Sequence, residues 1–170
     1  KNIFYEICNE PNGGTSWSTV KSYAAMVIKT IRTYDKKNII LVGTPTWSQD
    51  VDTAAKSPVK GYSNIMYTFH FYAATHGSEY RKKVQAAIDR GLPVFVSEFG
   101  VSESSGNGHI DKTEADKWIS FLRKNKISYV CWSLSNKAES CSLLKSSSTR
   151  TGNFKTSDLS TAGKWYKTVK

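Results

Sequence analysis

Residues 3–13 read Ile3-Phe4-Tyr5-Glu6-Ile7-Cys8-Asn9-Glu10-Pro11-Asn12-Gly13. An apolar run fit for a strand ends in an amide and a carboxylate, and Pro11-Asn12-Gly13 then stops it. The pattern recurs. Apolar runs rich in β-branched and aromatic residues cover residues 3–7, 38–43, 65–72, 93–99 and 127–134, and each carries its unusual residues at its C-terminal end. The second is followed by Thr44-Pro45-Thr46-Trp47, and the third closes on His70-Phe71-Tyr72. The fourth holds Glu98, and the fifth Trp132 with Ser133 and Ser135.

Between the runs the apolar period lengthens to that of a helix. Val20, Tyr23, Ala24, Val27, Ile28, Ile31 and Tyr34 lie on one face, with Ser16 or Ser18 as N-cap. Tyr80, Val84, Ala87 and Ile88 repeat the period and stop at Gly91, a C-terminal signal. Ala115, Trp118, Ile119 and Leu122 form a third helix, started by Asp111 or Thr113. A weaker fourth runs over 158–170 with Ala162, Trp165 and Tyr166, and 50–56 is read as a short helix. Strands alternating with helices predict βαβ units, and near-continuous apolar strands predict a parallel sheet covered by helices. In such proteins catalytic groups gather at the C-terminal strand ends, on the βα loops.

Bulk properties narrow the function classes. The chain has 170 residues, 39% of them hydrophobic, and fits one domain with a sizeable core. No apolar stretch is long enough to span a membrane, and no signal peptide is visible. The net charge of +10 comes from lysines scattered from Lys29 to Lys167, not from a basic run. It reads as a solvated surface rather than a nucleic-acid interface. Cys8, Cys131 and Cys141 form no C-x-x-C pair. One bridge, for instance Cys131 with Cys141, would leave an odd thiol over.

Taken singly, Glu10 after a strand is often a capping residue, His70 a satisfied core histidine, and Trp47 or Trp132 a packing residue. Glu98 is different: it interrupts an apolar run, where burial without a task carries a desolvation penalty of several kcal/mol. His76 and His109 sit in loops with no metal spacing, so no metal or other cofactor is expected. Two carboxylates at the ends of different strands, with aromatic faces beside them, suit glycoside hydrolysis. One carboxyl protonates the leaving oxygen while the other attacks or stabilises an oxocarbenium-like centre. Spacing alone does not separate this from other acid–base chemistry.

Four segments carry a resemblance that does. Residues 5–13, Tyr-Glu-Ile-Cys-Asn-Glu-Pro-Asn-Gly, resemble the strand-four motif of glycoside hydrolase family 5. Ser97-Glu98-Phe99-Gly100 resembles its strand-seven nucleophile motif. Residues 67–73 and 131–137 resemble strands six and eight of its bacterial endoglucanase (cellulase) branch. The resemblance implies an α/β fold, a partial (β/α)₈ TIM barrel containing strands four to eight with their helices. Residues 1–170 would be the C-terminal part of that barrel, with strands one to three absent. It implies a retaining endo-β-1,4-glucanase with Glu10 as acid/base and Glu98 as nucleophile. Asn9, His70 and Tyr72 would support them, and Trp47, Trp132, Lys137 and Glu139 would bind sugar. Asn136 stands where many relatives have Asp, and Ala74 where many have Gly, which touches loop contacts and not the chemistry.

Such barrels typically need about 250 residues. The absent strands would take with them an arginine and a histidine that brace the two carboxylates, and would leave open edges at strands four and eight. Three origins compete: the C-terminal part of a full enzyme, one partner of a separate N-terminal fragment, or a partial barrel that covers its edges as a homo-oligomer. The implied partner is a β-glucan, with no nucleic acid and no membrane, and secretion follows from a polymeric substrate. The alternatives are a catalytically weak carbohydrate-binding partial barrel and a related β-glycanase acting on mannan, xyloglucan, lichenan or xylan.

Overall fold

All five strand-like runs become strands. The computed structural model describes residues 3–169; residues 1, 2 and 170 of the expected domain lie outside them. The strands are β1 (Tyr5–Glu6), β2 (Ile40–Val42), β3 (Ile65–Tyr72), β4 (Val94–Gly100) and β5 (Tyr129–Cys131), in sheet order β1-β2-β3-β4-β5. Helices α1 (Trp17–Tyr34), α2 (Pro45–Ser48), α3 (Val51–Lys56), α4 (Ser78–Asp89) and α5 (Lys112–Lys124) lie in the connections, and α6 (Thr161–Tyr166) follows β5. β1 pairs with β2 in parallel through Tyr5↔Ile40, and β2 with β3 through Ile40↔Ile65 and Val42↔Tyr67. The chain forms two compact units, one holding the chain up to His70 with Glu79–Ser97, the other Phe71–Ser78 with the chain from Glu98 onward.

In the first unit α1 starts where a hydroxyl can cap it: the Ser16 side chain accepts the Thr19 N–H at 3.2 Å. Trp17, Val20, Ala24, Ile28 and Arg32 form its buried stripe. Trp17 meets Tyr67 edge-on at 5.9 Å and donates its indole N–H to Ser57 O at 2.9 Å. Tyr23 and Tyr34, expected on the buried face, are exposed; Tyr23 turns its hydroxyl out to donate to Ile7 O at 2.8 Å. Asp35 ends the helix and accepts the backbone N–H groups of Lys37 and Asn38, both at 2.9 Å. Bonds from Asn38 and Lys37, outweighing burial and aided by Tyr5, hold its carboxyl at about 2. At the end of β2, a Cβ on Gly43 would lie 2.4 Å from Cys8 O and 3.0 Å from Pro11 Cδ. Glycine therefore lets β2 close against the loop that carries Glu10.

The 44–48 segment departs from the sequence reading, which assigned it no helix. Thr46, Trp47 and Ser48 all take positive φ, at 56°, 54° and 57°, which is unfavourable for L-residues. Tertiary bonds hold it there: Trp47 N–H reaches Pro11 O at 3.0 Å, and the Thr46 hydroxyl reaches Asp50 Oδ2 at 2.7 Å. Lys83 pairs with the other Asp50 oxygen at 2.5 Å.

In the second unit the core is aromatic. Phe71 stacks on Trp118 at 4.0 Å and on Phe99 at 5.2 Å, and the Trp118 indole donates to His76 O at 2.7 Å. Asp111 caps α5 by accepting the Glu114 N–H at 2.9 Å. The helix expected over 158–170 is shorter, Thr161–Tyr166, after a 3₁₀ turn at Thr156–Asp158. Within it Trp165 donates to Asp116 Oδ1 at 2.8 Å. Beside β5, Val130 and Leu134 are exposed, next to an apolar cavity of about 440 Å³ that Leu143, Phe154, Leu159 and Tyr166 also line. On β1's side of the first unit, Ile3 and Phe4 are half exposed.

Candidate active site

Glu10 follows β1 in a loop with φ of 45°, tied locally by Asn12, whose side-chain amide donates to Glu10 O at 3.2 Å. Across the first unit, at the end of β3, His70 is 2% exposed and sets Nδ1 2.9 Å from Glu10 Oε1. The other ring nitrogen, Nε2, lies 2.8 Å from the Ser97 hydroxyl. Ser97 in turn donates to Glu6 Oε1 at 2.8 Å. Burial pushes the Glu6 carboxyl up, but the bonds from His70 and Ser97 and the His70 charge outweigh it and hold it below its usual value. Asn9 is exposed immediately before Glu10, and Trp47, on the turn bonded to Pro11, is 51% exposed.

In the second unit Tyr72 is buried and donates its hydroxyl to Glu98 Oε1 at 2.8 Å. Its ring is fixed from two directions. Its backbone N–H donates to His76 Nδ1 at 2.9 Å, and Gly100 leaves the space the ring fills, since a Cβ there would lie 2.5 Å from two ring carbons. Trp132, after β5, is 48% exposed and anchored by its N–H to Phe99 O at 2.8 Å. Lys137 and Glu139 form an ion pair at 2.6 Å, with the lysine exposed. Their hydrogen bond raises the Lys137 value and lowers that of Glu139. Cys8, Cys131 and Cys141 are free thiols. Burial, with Cys141 nearby, pushes Cys131 up to about 12, and burial and the Glu139 bond push Cys141 up to about 11.

The first unit thus brings together Glu10 and His70 and sets Trp47 on the turn bonded to Pro11. The second brings together Tyr72 with Glu98 and Lys137 with Glu139. Sequence reasoning missed Glu6 and Ser97. Glu6 carries the same signal that singled out Glu98, a carboxylate inside an apolar run. Each unit offers a carboxylate held by a hydrogen-bonding partner at the C-terminal end of a strand, the arrangement general acid–base and nucleophilic chemistry needs.

Comparison with known proteins gives this arrangement a context. The family model described as Cellulase (glycosyl hydrolase family 5) matches residues 1–138. An endoglucanase of Clostridium saccharobutylicum is 50% identical over 167 residues, 98% of this chain and 37% of that protein. A solved cellulase, Cel5C_n, superposes with a TM-score of 0.92 at 46% identity, covering 97% of this chain and 50% of that one. The catalytic domain of Thermobifida fusca endoglucanase Cel5A, in a variant solved with cellotetraose, gives 0.87 at 37% identity, over 96% of this chain and 55% of that one. The chain therefore spans little more than a third of that curated relative and about half of those solved structures. Its five parallel strands and their helices have the fold of the corresponding part of a cellulase TIM barrel.

Proposed function

Since the chain belongs to glycosyl hydrolase family 5, the cellulases, we propose that it carries the two catalytic carboxylates of a retaining endo-β-1,4-glucanase. Glu98 is the nucleophile and forms the glycosyl-enzyme bond. Glu10 first gives its proton to the glycosidic oxygen and then takes one from the attacking water. Retention asks for carboxyl groups about 5–5.5 Å apart, against roughly 6.5–9.5 Å for inversion. The observation that carries the reading is that each carboxylate has a hydrogen-bonding partner at a strand end: Glu10 has His70 at 2.9 Å and Glu98 has the Tyr72 hydroxyl at 2.8 Å. A tyrosine hydroxyl stabilises the charge of the nucleophile. An imidazole on Glu10 can hold a proton next to it as its role changes between the two steps.

The substrate is a β-1,4-glucan. The cellotetraose complex of the Thermobifida fusca relative and the exposed faces of Trp47 and Trp132 support this. Asn9 faces the sugar at the reacting subsite, while Lys137 and Glu139 contact it beyond β5. Residues 1–170 act as the C-terminal part of the barrel. The exposed apolar groups at Ile3, Phe4, Val130 and Leu134 support a further partner over the two flanks, either a complementary N-terminal portion or a second copy. A polymeric substrate places the action outside the cell.

The test is release of reducing ends from carboxymethyl cellulose, alongside a panel of mannan, xyloglucan and lichenan. Turnover on the β-1,4-glucan that is lost in Glu98→Gln supports the reading. Preference for mannan reassigns the glycan, and cello-oligosaccharide binding without turnover favours a carbohydrate-binding partial barrel.

A further inference from the structure

His70 is held between two carboxylates, and only one of them has a place in the reaction proposed above. Glu10 lies on Nδ1 at 2.9 Å, and Glu6 lies 3.7 Å from Nε2, with the Ser97 hydroxyl bridging them at 2.8 Å on each side. A hydroxyl has one proton to give, and an ionised carboxylate can only accept. Ser97 therefore spends its proton on Glu6 and turns a lone pair to His70. The opposite arrangement, Ser97 donating to Nε2, would set its lone pair against the Glu6 carboxylate at 2.8 Å.

We infer that Glu6, acting through Ser97, is a positioning residue that keeps a proton on His70 Nε2, so that Nδ1 is the atom that exchanges a proton with Glu10. The consequence for catalysis rests on the reading of Glu10 as the acid/base. With Nε2 already protonated, one further proton serves both Glu10 and Nδ1. It sits either on the carboxyl, with Nδ1 accepting, or on Nδ1, giving an imidazolium paired with a carboxylate; the net charge is the same. Delivery of that proton to the glycosidic oxygen leaves the Nδ1 lone pair facing the Glu10 carboxylate. The pair is then one proton short, and it regains one when the attacking water bonds to the anomeric carbon and gives up its proton. The lowered position of the Glu6 carboxyl agrees with its staying ionised throughout.

Long-range ¹H–¹⁵N correlation on the uniformly labelled chain tests the inference directly. The chain has three histidines, and His70 is identified by its absence from the His70→Gln spectrum. In its neutral form, His70 is expected as the Nε2–H tautomer. In Glu6→Gln the amide can donate to Ser97, which frees the hydroxyl to donate to Nε2, and the tautomer is expected to move towards Nδ1–H. In Ser97→Ala, loss of the bridge is expected to give a mixture. The Nδ1–H tautomer in the unaltered chain would overturn the inference without any variant, and so would an unchanged tautomer in a folded Glu6→Gln. None of these readouts requires turnover, so a failure of the acid/base reading shows up separately, as an inactive chain with the expected tautomer.

Discussion

Tyr72 loses its freedom three times over: its N–H is taken by His76, its ring fills the space Gly100 leaves, and its hydroxyl is spent on Glu98. A hydrogen bond to a charged group contributes about 1.5–3 kcal/mol. Tyr72→Phe should therefore lower kcat on a soluble β-glucan by about 10- to 100-fold with little change in fold by circular dichroism; undiminished kcat would remove Tyr72 from the mechanism. A second residue-scale prediction concerns acid. Asp35 is held at about 2, below its ordinary 3.8, so its contribution is complete above the ordinary value and is lost as pH falls towards 2. Urea midpoints should fall over that window, and Asp35→Asn should flatten the fall. An equally steep fall in the variant would contradict it. At this scale the sequence was partly legible. Glu98 could be picked out as a carboxylate inside an apolar run, whereas Glu10 stood out only alongside the other strand ends and the family motif around it. Ser97 could not be picked out, because its partner Glu6 lies 91 residues away and nothing local marks the bond.

Elements were legible wherever local chemistry decides them. Ser16 and Asp111 cap their helices because their side chains reach the third N–H beyond. Gly91, with φ of 78°, ends α4 as its position suggested. The end of α5 was less readable. Asn125 is the residue such a turn would favour, yet Lys126 takes the left-handed position at φ 55°, with Ile127 N–H bonded to Leu122 O at 2.9 Å. Replacing Lys126 by glycine should remove about 1–2 kcal/mol of backbone strain, offset in part by about 0.5–1 kcal/mol of glycine's chain entropy, and raise Tm; a lower Tm would contradict it. The turn at 44–48 was illegible for a physical reason. No local propensity favours positive φ at Thr46, Trp47 and Ser48, and bonds to Pro11 and Asp50 impose it. Asp50→Ala should free the turn and raise KM several-fold while kcat holds, if Trp47 has the sugar-binding role proposed for it and takes no part in bond cleavage. A kcat loss with KM unchanged would argue against a binding role.

At the scale of the whole molecule, five strands in chain order announced the α/β class, and family motifs at four strand ends announced which barrel strands they are. Open edges at strands four and eight were expected from the absent strands, but a partner for them was not legible, since nothing local in a sequence names one. If a second copy covers them, light scattering after size exclusion should give a dimer or larger species. A monomer at high dilution would leave the complementary portion as the partner. The central claim, that Glu98 is the nucleophile of a β-1,4-glucan hydrolase, is tested most directly by reducing-end release from carboxymethyl cellulose in the unaltered chain and in Glu98→Gln. Turnover is expected in the first and its loss in the second. Equal turnover in both would contradict it.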